Sequence, residues 1–192
     1  MRPTILNTGY GFGTKLLFGL IQLFSRQPVP DAARITFYRP DFYGTYSKAL
    51  TQEAMRGPSE WSVAERELMA AYVSILNDCP FCVGAHTATA SQAFENDDLV
   101  AAALADLDSA PLQDRLRATL RMLAKLTRDG LAPEDVRAVL DAGVSRQQIE
   151  DALAVCYAFS ITNRLANAFG FQVLSPEGFR SGAKFLLRRG YR

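Results

Sequence analysis

The chain has 192 residues, of which 48% are hydrophobic and 21% charged, and its formal net charge is +1. This size and composition predict one folded domain with a substantial core, and the near-neutral charge argues against a general attraction to nucleic acid or membranes. The strongest apolar run near the N-terminus, from Leu16 to Phe24, is far shorter than the roughly 20 residues that span a bilayer.

Cysteine usage indicates the compartment. The chain holds three cysteines, Cys79, Cys82 and Cys156, and a single histidine, His86. An odd number with two close together does not match a secreted disulfide framework, and the N-terminus lacks the small-residue cleavage site of a secretory signal. We therefore expect a cytoplasmic protein. The close pair, Cys79 and Cys82, is typical of catalysis or metal binding. Cys156 lies among apolar residues in the middle of a predicted helix and is expected to be an inert buried thiol.

Helical periodicity with start and stop signals predicts an all-α protein of seven to eight helices, and no segment alternates as a strand does. Three segments are expected: an N-terminal extension (1–30), a helical domain (31–175) and a basic C-terminal tail (176–192). The extension should contain a short apolar helix at 14–24. The predicted helices of the domain cover 41–56, 62–76, 79–95, 97–107, 112–128, 133–142 and 145–169.

The ends of the chain suggest self-association. One side of the 14–24 helix is apolar and must cover either the core of its own chain or a neighbouring subunit. The tail mixes basic and apolar residues, which favours a solvated or subunit-docking segment. Together they provide more apolar cover than one such core needs, so we expect an obligate homo-oligomer.

The segment Cys-Pro-Phe-Cys-Val-Gly-Ala-His, from Cys79 to His86, carries the chemistry. Pro80 suits the first turn of a helix, with Asp78 or Cys79 as its N-cap. On that helix Cys79, Cys82 and His86 lie within an arc of roughly 60°. Thiols three residues apart are close enough for a disulfide, and a helix start favours thiolates. The spacing indicates a dithiol that cycles to a disulfide, with His86 moving protons.

Glu67 lies on the preceding helix among small and apolar residues, so it is predicted to point inward, where a carboxylate needs a partner. A tight turn at Asn77 and Asp78 would fold the two helices into a hairpin. Glu67 and His86 would then lie roughly 15 and 12 Å from the turn. The pattern therefore predicts a Glu67–His86 hydrogen bond that leaves the other ring nitrogen to serve a cysteine.

The pattern formed by Glu67, Cys79, Cys82 and His86 resembles the AhpD-like alkylhydroperoxidases of the carboxymuconolactone decarboxylase superfamily. The small residues at 83–85 and the stretch 163–166 are also similar to its peroxidase-related members. The resemblance implies an all-α, AhpD-like fold with a central helical hairpin carrying the Cys-x2-Cys-x3-His motif. It implies homo-oligomers, often trimers or hexamers.

The resemblance also implies reduction of alkyl hydroperoxides without metal or cofactor, with electrons from a dithiol donor such as a lipoyl-protein or a thioredoxin-like protein. Cys82 would attack the peroxide, Cys79 would resolve the sulfenic acid, and Glu67 and His86 would form a proton relay. Near neutral pH, Cys82 would need a depressed pKa to react as a thiolate. The best-studied members have a histidine between the cysteines, where this chain has Phe81. The resemblance therefore predicts the class of reaction, but neither its rate nor the identity of the peroxide.

Three other interpretations stay open. A carboxymuconolactone-type decarboxylase is the other activity of the superfamily, although the resemblance implies that those enzymes do not rely on the cysteine pair. A zinc site could use Cys79, Cys82, His86 and Glu67, but ligands spread along ~10 Å of one helix are too far apart for one ion. A non-catalytic interaction protein, redox-sensing or zinc-stabilised, is the third. Cysteines that served only as buried apolar filler would leave the only histidine and an inward carboxylate unexplained.

Overall fold

The structure is a computed structural model and describes residues 3–191. These residues form eleven α-helices and one turn of π-helix at Pro40–Gly44, with no strand among them, which confirms the all-α prediction. The α-helices are α1 (Ile5–Thr8), α2 (Phe12–Ser25), α3 (Asp31–Tyr38), α4 (Thr45–Arg56), α5 (Val63–Leu76), α6 (Pro80–Phe94), α7 (Asp97–Ala105), α8 (Asp114–Arg128), α9 (Pro133–Asp141), α10 (Arg146–Phe169) and α11 (Pro176–Arg189).

The predicted number of seven to eight helices is wrong, because α1, α3 and α11 were not predicted as helices. α1 is a single turn, and α3 lies between Pro30 and Pro40, which make its short sequence resemble a linker. The charges of α11 mask its apolar side. The predicted 41–56 helix instead begins as the π-helical turn, where a Cβ on Gly44 would lie 2.1 Å from the Thr36 carbonyl oxygen of α3.

Capping boxes fix the starts of the two long central helices. The Ser62 hydroxyl accepts a hydrogen bond from the Glu65 backbone N–H, and the Glu65 carboxylate accepts one from the Ser62 backbone N–H. Ser145 and Gln148 make the same exchange at the start of α10. Each box pairs N–H groups that a helix start otherwise leaves unpaired.

A hairpin of α5 and α6 forms the centre of the fold. Asp78 turns the chain with a φ of 48°, a conformation that Asp tolerates better than most residues. α5 is buried on nearly every side, and α10 and α8 pack against it. α11 packs on α6, where Gly84 lets the Phe179 ring approach so closely that an added Cβ would lie 2.4 Å from it. The segment expected to be a solvated or subunit-docking tail thus covers α6 of its own chain.

α2 leaves most of its apolar surface in solvent in the single chain. Only Phe18 of this helix is buried, in a small cluster with Tyr10 and Val29. Phe12 and Phe24 are 83% and 82% exposed. None of the helices within residues 3–191 combines the length and the apolar character needed to cross a membrane.

Candidate active site

The cysteine pair lies at the start of α6. Cys79 is the N-cap, its backbone N–H donates to the Ser74 carbonyl oxygen at 3.0 Å, and Pro80 occupies the first helical position. Cys79 and Cys82 are free thiols, and each residue is only 1% exposed. Phe81, Phe171 and Phe179 pack around them, with the Phe81 and Phe171 rings edge to face at 5.4 Å.

The two thiols share a hydrogen bond that separates their pKa values. The Cys79 sulfur accepts this bond from the Cys82 thiol and further bonds from the backbone N–H groups of Cys82 and Phe81, which lower the pKa of Cys79 to about 7 although burial opposes the shift. The pKa of Cys82 is raised, because its proton is held by Cys79 and because burial disfavours its thiolate. In the reduced pair the lowered pKa therefore belongs to Cys79, and Cys82, the sulfur expected to attack, holds the proton. The unpaired N–H groups of the helix start converge on the N-cap residue, which is Cys79.

Glu67 and His86 are hydrogen-bonded as predicted. The Glu67 Oε2 atom lies 2.7 Å from His86 Nδ1, with Glu67 fully buried and His86 5% exposed. Burial alone would raise the pKa of Glu67, but hydrogen bonds and charge from His86 and Arg56 hold it below its usual value. An ionised carboxylate only accepts hydrogen bonds, so Nδ1 donates to Glu67 and Nε2 is left to exchange protons. The His86 ring is wedged edge-on against Phe159, with centroids 4.3 Å apart.

Two further partners of Glu67 were not predicted. Its Oε1 atom accepts a hydrogen bond from an Arg56 guanidinium nitrogen at 2.7 Å and one from the Tyr191 hydroxyl at 2.9 Å. Arg56 ends α4, so its charge can be explained by the helix dipole and its sequence position gives no pointer to Glu67. Tyr191 follows the basic segment, 124 residues beyond Glu67, and no local pattern connects the two.

The α10 residues around 163–166 fix the hairpin turn. Asn163 is fully buried, and its side-chain oxygen accepts a hydrogen bond from the Ser74 hydroxyl at 3.1 Å. The Asn167 amide donates to the carbonyl oxygens of Asn77 and Asp78 at 3.1 and 3.2 Å. α10 therefore holds the turn that places Cys79 at the start of α6.

Within residues 3–191, no three His, Cys, Asp or Glu side chains are grouped so that they could hold one metal ion. Cys156 is buried in α10, with its sulfur 3.7 Å from the Thr127 hydroxyl.

Comparison with known proteins finds a family match over part of the chain. The model of the carboxymuconolactone decarboxylase family matches residues 40–125, a range that includes Glu67, both cysteines of the pair and His86. No curated protein sequence matches the chain significantly.

Solved structures match nearly the whole chain. An uncharacterized peroxidase-related protein from Silicibacter sp. TM1040 is 26% identical, with a TM-score of 0.76 and 91% of each chain covered. An uncharacterized peroxidase-related protein with an alkylhydroperoxidase AhpD core, from Ralstonia eutropha JMP134, is 20% identical, with a TM-score of 0.75 and coverage of 90% of this chain and 91% of that one. The debrominase Bmp8, as a cysteine-to-alanine variant in complex with 2,3,4-tribromopyrrole, is 14% identical with a TM-score of 0.71 and 90% of each chain covered.

These similarities define the class: an all-α protein with an AhpD-like fold, whose central hairpin carries a buried dithiol and a carboxylate-bound histidine. Residues 40–125 are thus similar to the carboxymuconolactone decarboxylase family and the fold is AhpD-like, which confirms the resemblance seen in the sequence.

Proposed function

We propose that this protein is a thiol-dependent peroxidase. It reduces alkyl hydroperoxides with Cys79 and Cys82, uses Glu67 and His86 as a proton relay, and receives electrons from a dithiol donor of the lipoyl-protein or thioredoxin-like class. The proposal rests on how the two thiols and one histidine are arranged. Two free thiols share a hydrogen bond, the pKa of Cys79 is lowered to about 7, and a histidine bound to a buried carboxylate follows Cys82 by one helical turn.

The reaction starts from a pair that holds one proton near neutral pH. Transfer of that proton from Cys82 to Cys79, along their shared hydrogen bond, moves the negative charge to Cys82. The Cys82 thiolate then attacks one peroxide oxygen and the O–O bond breaks. His86 has accepted the other proton of the pair on Nε2, with Glu67 stabilising the charged ring, and gives it to the alkoxide that leaves, which becomes the alcohol while Cys82 becomes a sulfenic acid.

The second half of the cycle restores the thiols. The Cys79 sulfur attacks the sulfenic sulfur, the S–S bond forms, and the hydroxide leaves as water with the Cys79 proton. The dithiol donor then reduces this disulfide by thiol–disulfide exchange and is itself oxidised. Such a donor is kept reduced in the cytoplasm, where we propose that the protein works.

A decarboxylase is the competing reaction class, because the matching family model bears that name. Decarboxylation transfers no electrons to the protein and would leave both thiols reduced. The fate of the thiols therefore separates the two activities, and it separates both from a redox sensor, which would form the disulfide without steady turnover.

We expect mild peroxide to oxidise Cys79 and Cys82 to one disulfide, so two thiols are lost per chain while one molecule of peroxide becomes alcohol. The measurement is free-thiol counting with product quantification, followed by steady-state turnover with a dithiol donor. Metal analysis of the same sample should find no stoichiometric metal. Loss of a single thiol, or zinc at one per chain, would contradict this proposal.

We also propose a homo-oligomer, a trimer or hexamer as in related proteins, on the ground that α2 exposes Phe12, Leu23 and Phe24 by 70% or more. Light scattering at micromolar concentration should give a multiple of the 21.1 kDa chain mass. Serine in place of both Phe12 and Phe24 should shift the mass toward the monomer. A clean monomer for the unaltered chain would disprove the oligomer.

A further inference from the structure

We infer that Tyr191 is a positioning residue of the relay, which fixes the Glu67 carboxylate toward His86 and makes the C-terminal segment part of the active site. This inference rests on the proposed function. Tyr191 lies beyond the residues matched by the family model, in the segment that the sequence indicated as a basic tail.

The two oxygens of Glu67 have separate tasks. Among the described residues, Oε2 contacts only His86, at 2.7 Å, whereas Oε1 accepts from both Arg56 and Tyr191. Rotation of the carboxylate would break several hydrogen bonds at once in a fully buried place, where an unpaired polar group is costly. The donors on Oε1 therefore determine the direction in which Oε2 points.

Tyr191 is itself held from the side of α4. Its backbone N–H donates to the Gln52 side-chain oxygen at 2.8 Å, and the Arg56 guanidinium lies over its ring, 5.1 Å from the centroid. The preceding Gly190 has a φ of 68° and passes so close to Gln52 that an added Cβ would lie 2.4 Å from the side-chain oxygen. The Tyr191 ring also lies nearly parallel to that of His86, with centroids 6.4 Å apart.

The charged groups around the hydroxyl explain why tyrosine suits this place. The Tyr191 side chain faces Arg56 of α4, Glu67 of α5 and His86 of α6. Burial and the Glu67 charge raise the pKa of Tyr191 well above its usual value, so the phenol stays protonated at any working pH. Tyr191 thus donates to Oε1 without adding charge, while Arg56 supplies the positive charge that a buried carboxylate requires.

The test replaces Tyr191 by phenylalanine, which keeps the ring and removes the hydroxyl. The control is Tyr157→Phe, at a tyrosine of α10 that is 60% exposed. His86 is the only histidine, so in tag-free protein its ¹⁵N ring signals report one residue and distinguish the Nδ1–H tautomer from the Nε2–H tautomer. We expect the Nδ1–H form in the unaltered protein and in Tyr157→Phe, and a mixture in Tyr191→Phe. Peroxide kcat should fall about tenfold in Tyr191→Phe with little change in KM, as for a lost hydrogen bond to a charged group.

The tautomer and the rate have to change together. An unchanged tautomer in Tyr191→Phe would overturn the inference, whatever happens to kcat, because a merely structural tyrosine could also slow the enzyme. Gln52→Ala, which loosens the anchor but keeps the hydroxyl, should change both readouts in the same direction by less, and it serves as the second variant if Tyr191→Phe folds poorly. If the unaltered protein turns over no peroxide, the proposed function fails, and the ¹⁵N signals still decide the role of Tyr191.

Discussion

Replacing Cys82 by serine is expected to abolish peroxide turnover with a dithiol donor, a loss on the order of 10³-fold or more, because no other group can replace the attacking sulfur. Cys79→Ser should abolish steady turnover as well, since no disulfide can form. The two variants are expected to differ in the product that one turnover with peroxide leaves on the protein. Cys79→Ser should accumulate a sulfenic acid on Cys82 that a carbon nucleophile such as dimedone traps, and Cys82→Ser should form none.

Alkylation of the unaltered protein tests which sulfur carries the charge at rest. Because the pKa of Cys79 is lowered to about 7, iodoacetamide at neutral pH should label Cys79 first in the unaltered protein. Cys156→Ser is the matched control, since this third thiol is buried away from the pair and its loss should leave turnover unchanged. A sulfenic acid in Cys82→Ser and none in Cys79→Ser would reverse the assigned roles.

The central hairpin could be predicted from sequence because its determinants are local. The Ser62 capping box, the break at Asn77 and Asp78 and the proline at the start of α6 each act within a few residues. Helical rise then sufficed to bring Glu67 and His86 to the same depth, and their hydrogen bond of 2.7 Å confirms that estimate.

The rest of the site depends on contacts between distant segments. Arg56 and Tyr191 both bind the same oxygen of Glu67, yet Arg56 ends α4, before the hairpin in the chain, and Tyr191 follows α11, after it. Neither has a sequence neighbour that reveals this role, because a terminal basic residue of a helix and a tyrosine after a basic run both have ordinary explanations. Their roles appear only once α11 is packed on α6.

The sequence also could not show which of the two cysteines has the lowered pKa at rest. At the start of a helix the dipole favours thiolates at either cysteine, so the sequence does not distinguish them. The distinction follows from one detail of backbone geometry. Cys79 occupies the N-cap position and receives the N–H groups of Phe81 and Cys82, whereas Cys82 lies inside the helix and donates its own proton.

Replacing Glu67 by glutamine should lower peroxide turnover on the order of 10²-fold, since the side chain keeps its shape while His86 loses the charge that stabilises it once it is protonated. His86→Gln should have a similar effect. The double variant should be little worse than either single one, because the two groups act as a unit. Steady-state kinetics of the three variants, with the pH dependence of cysteine alkylation, measure this directly. Wild-type turnover and alkylation in Glu67→Gln would make Glu67 a structural residue only.

Stability has to be separated from catalysis in that variant, because Glu67→Gln also leaves Arg56 buried without its partner charge. Removing one member of a buried ion pair costs about 3–5 kcal/mol. The pKa of Glu67 is lower in the folded protein than in the unfolded chain. The stability that its charge contributes is therefore fully present above the unfolded pKa of about 4.3, and it is lost as the pH falls through the folded pKa. The urea midpoints of the two proteins should therefore differ most near neutral pH and approach each other in acid.

Glu65→Gln is the matched control, since Glu65 lies on the same helix and pairs with Arg115 at 2.7 Å. It should lose stability while peroxide turnover stays at the wild-type value.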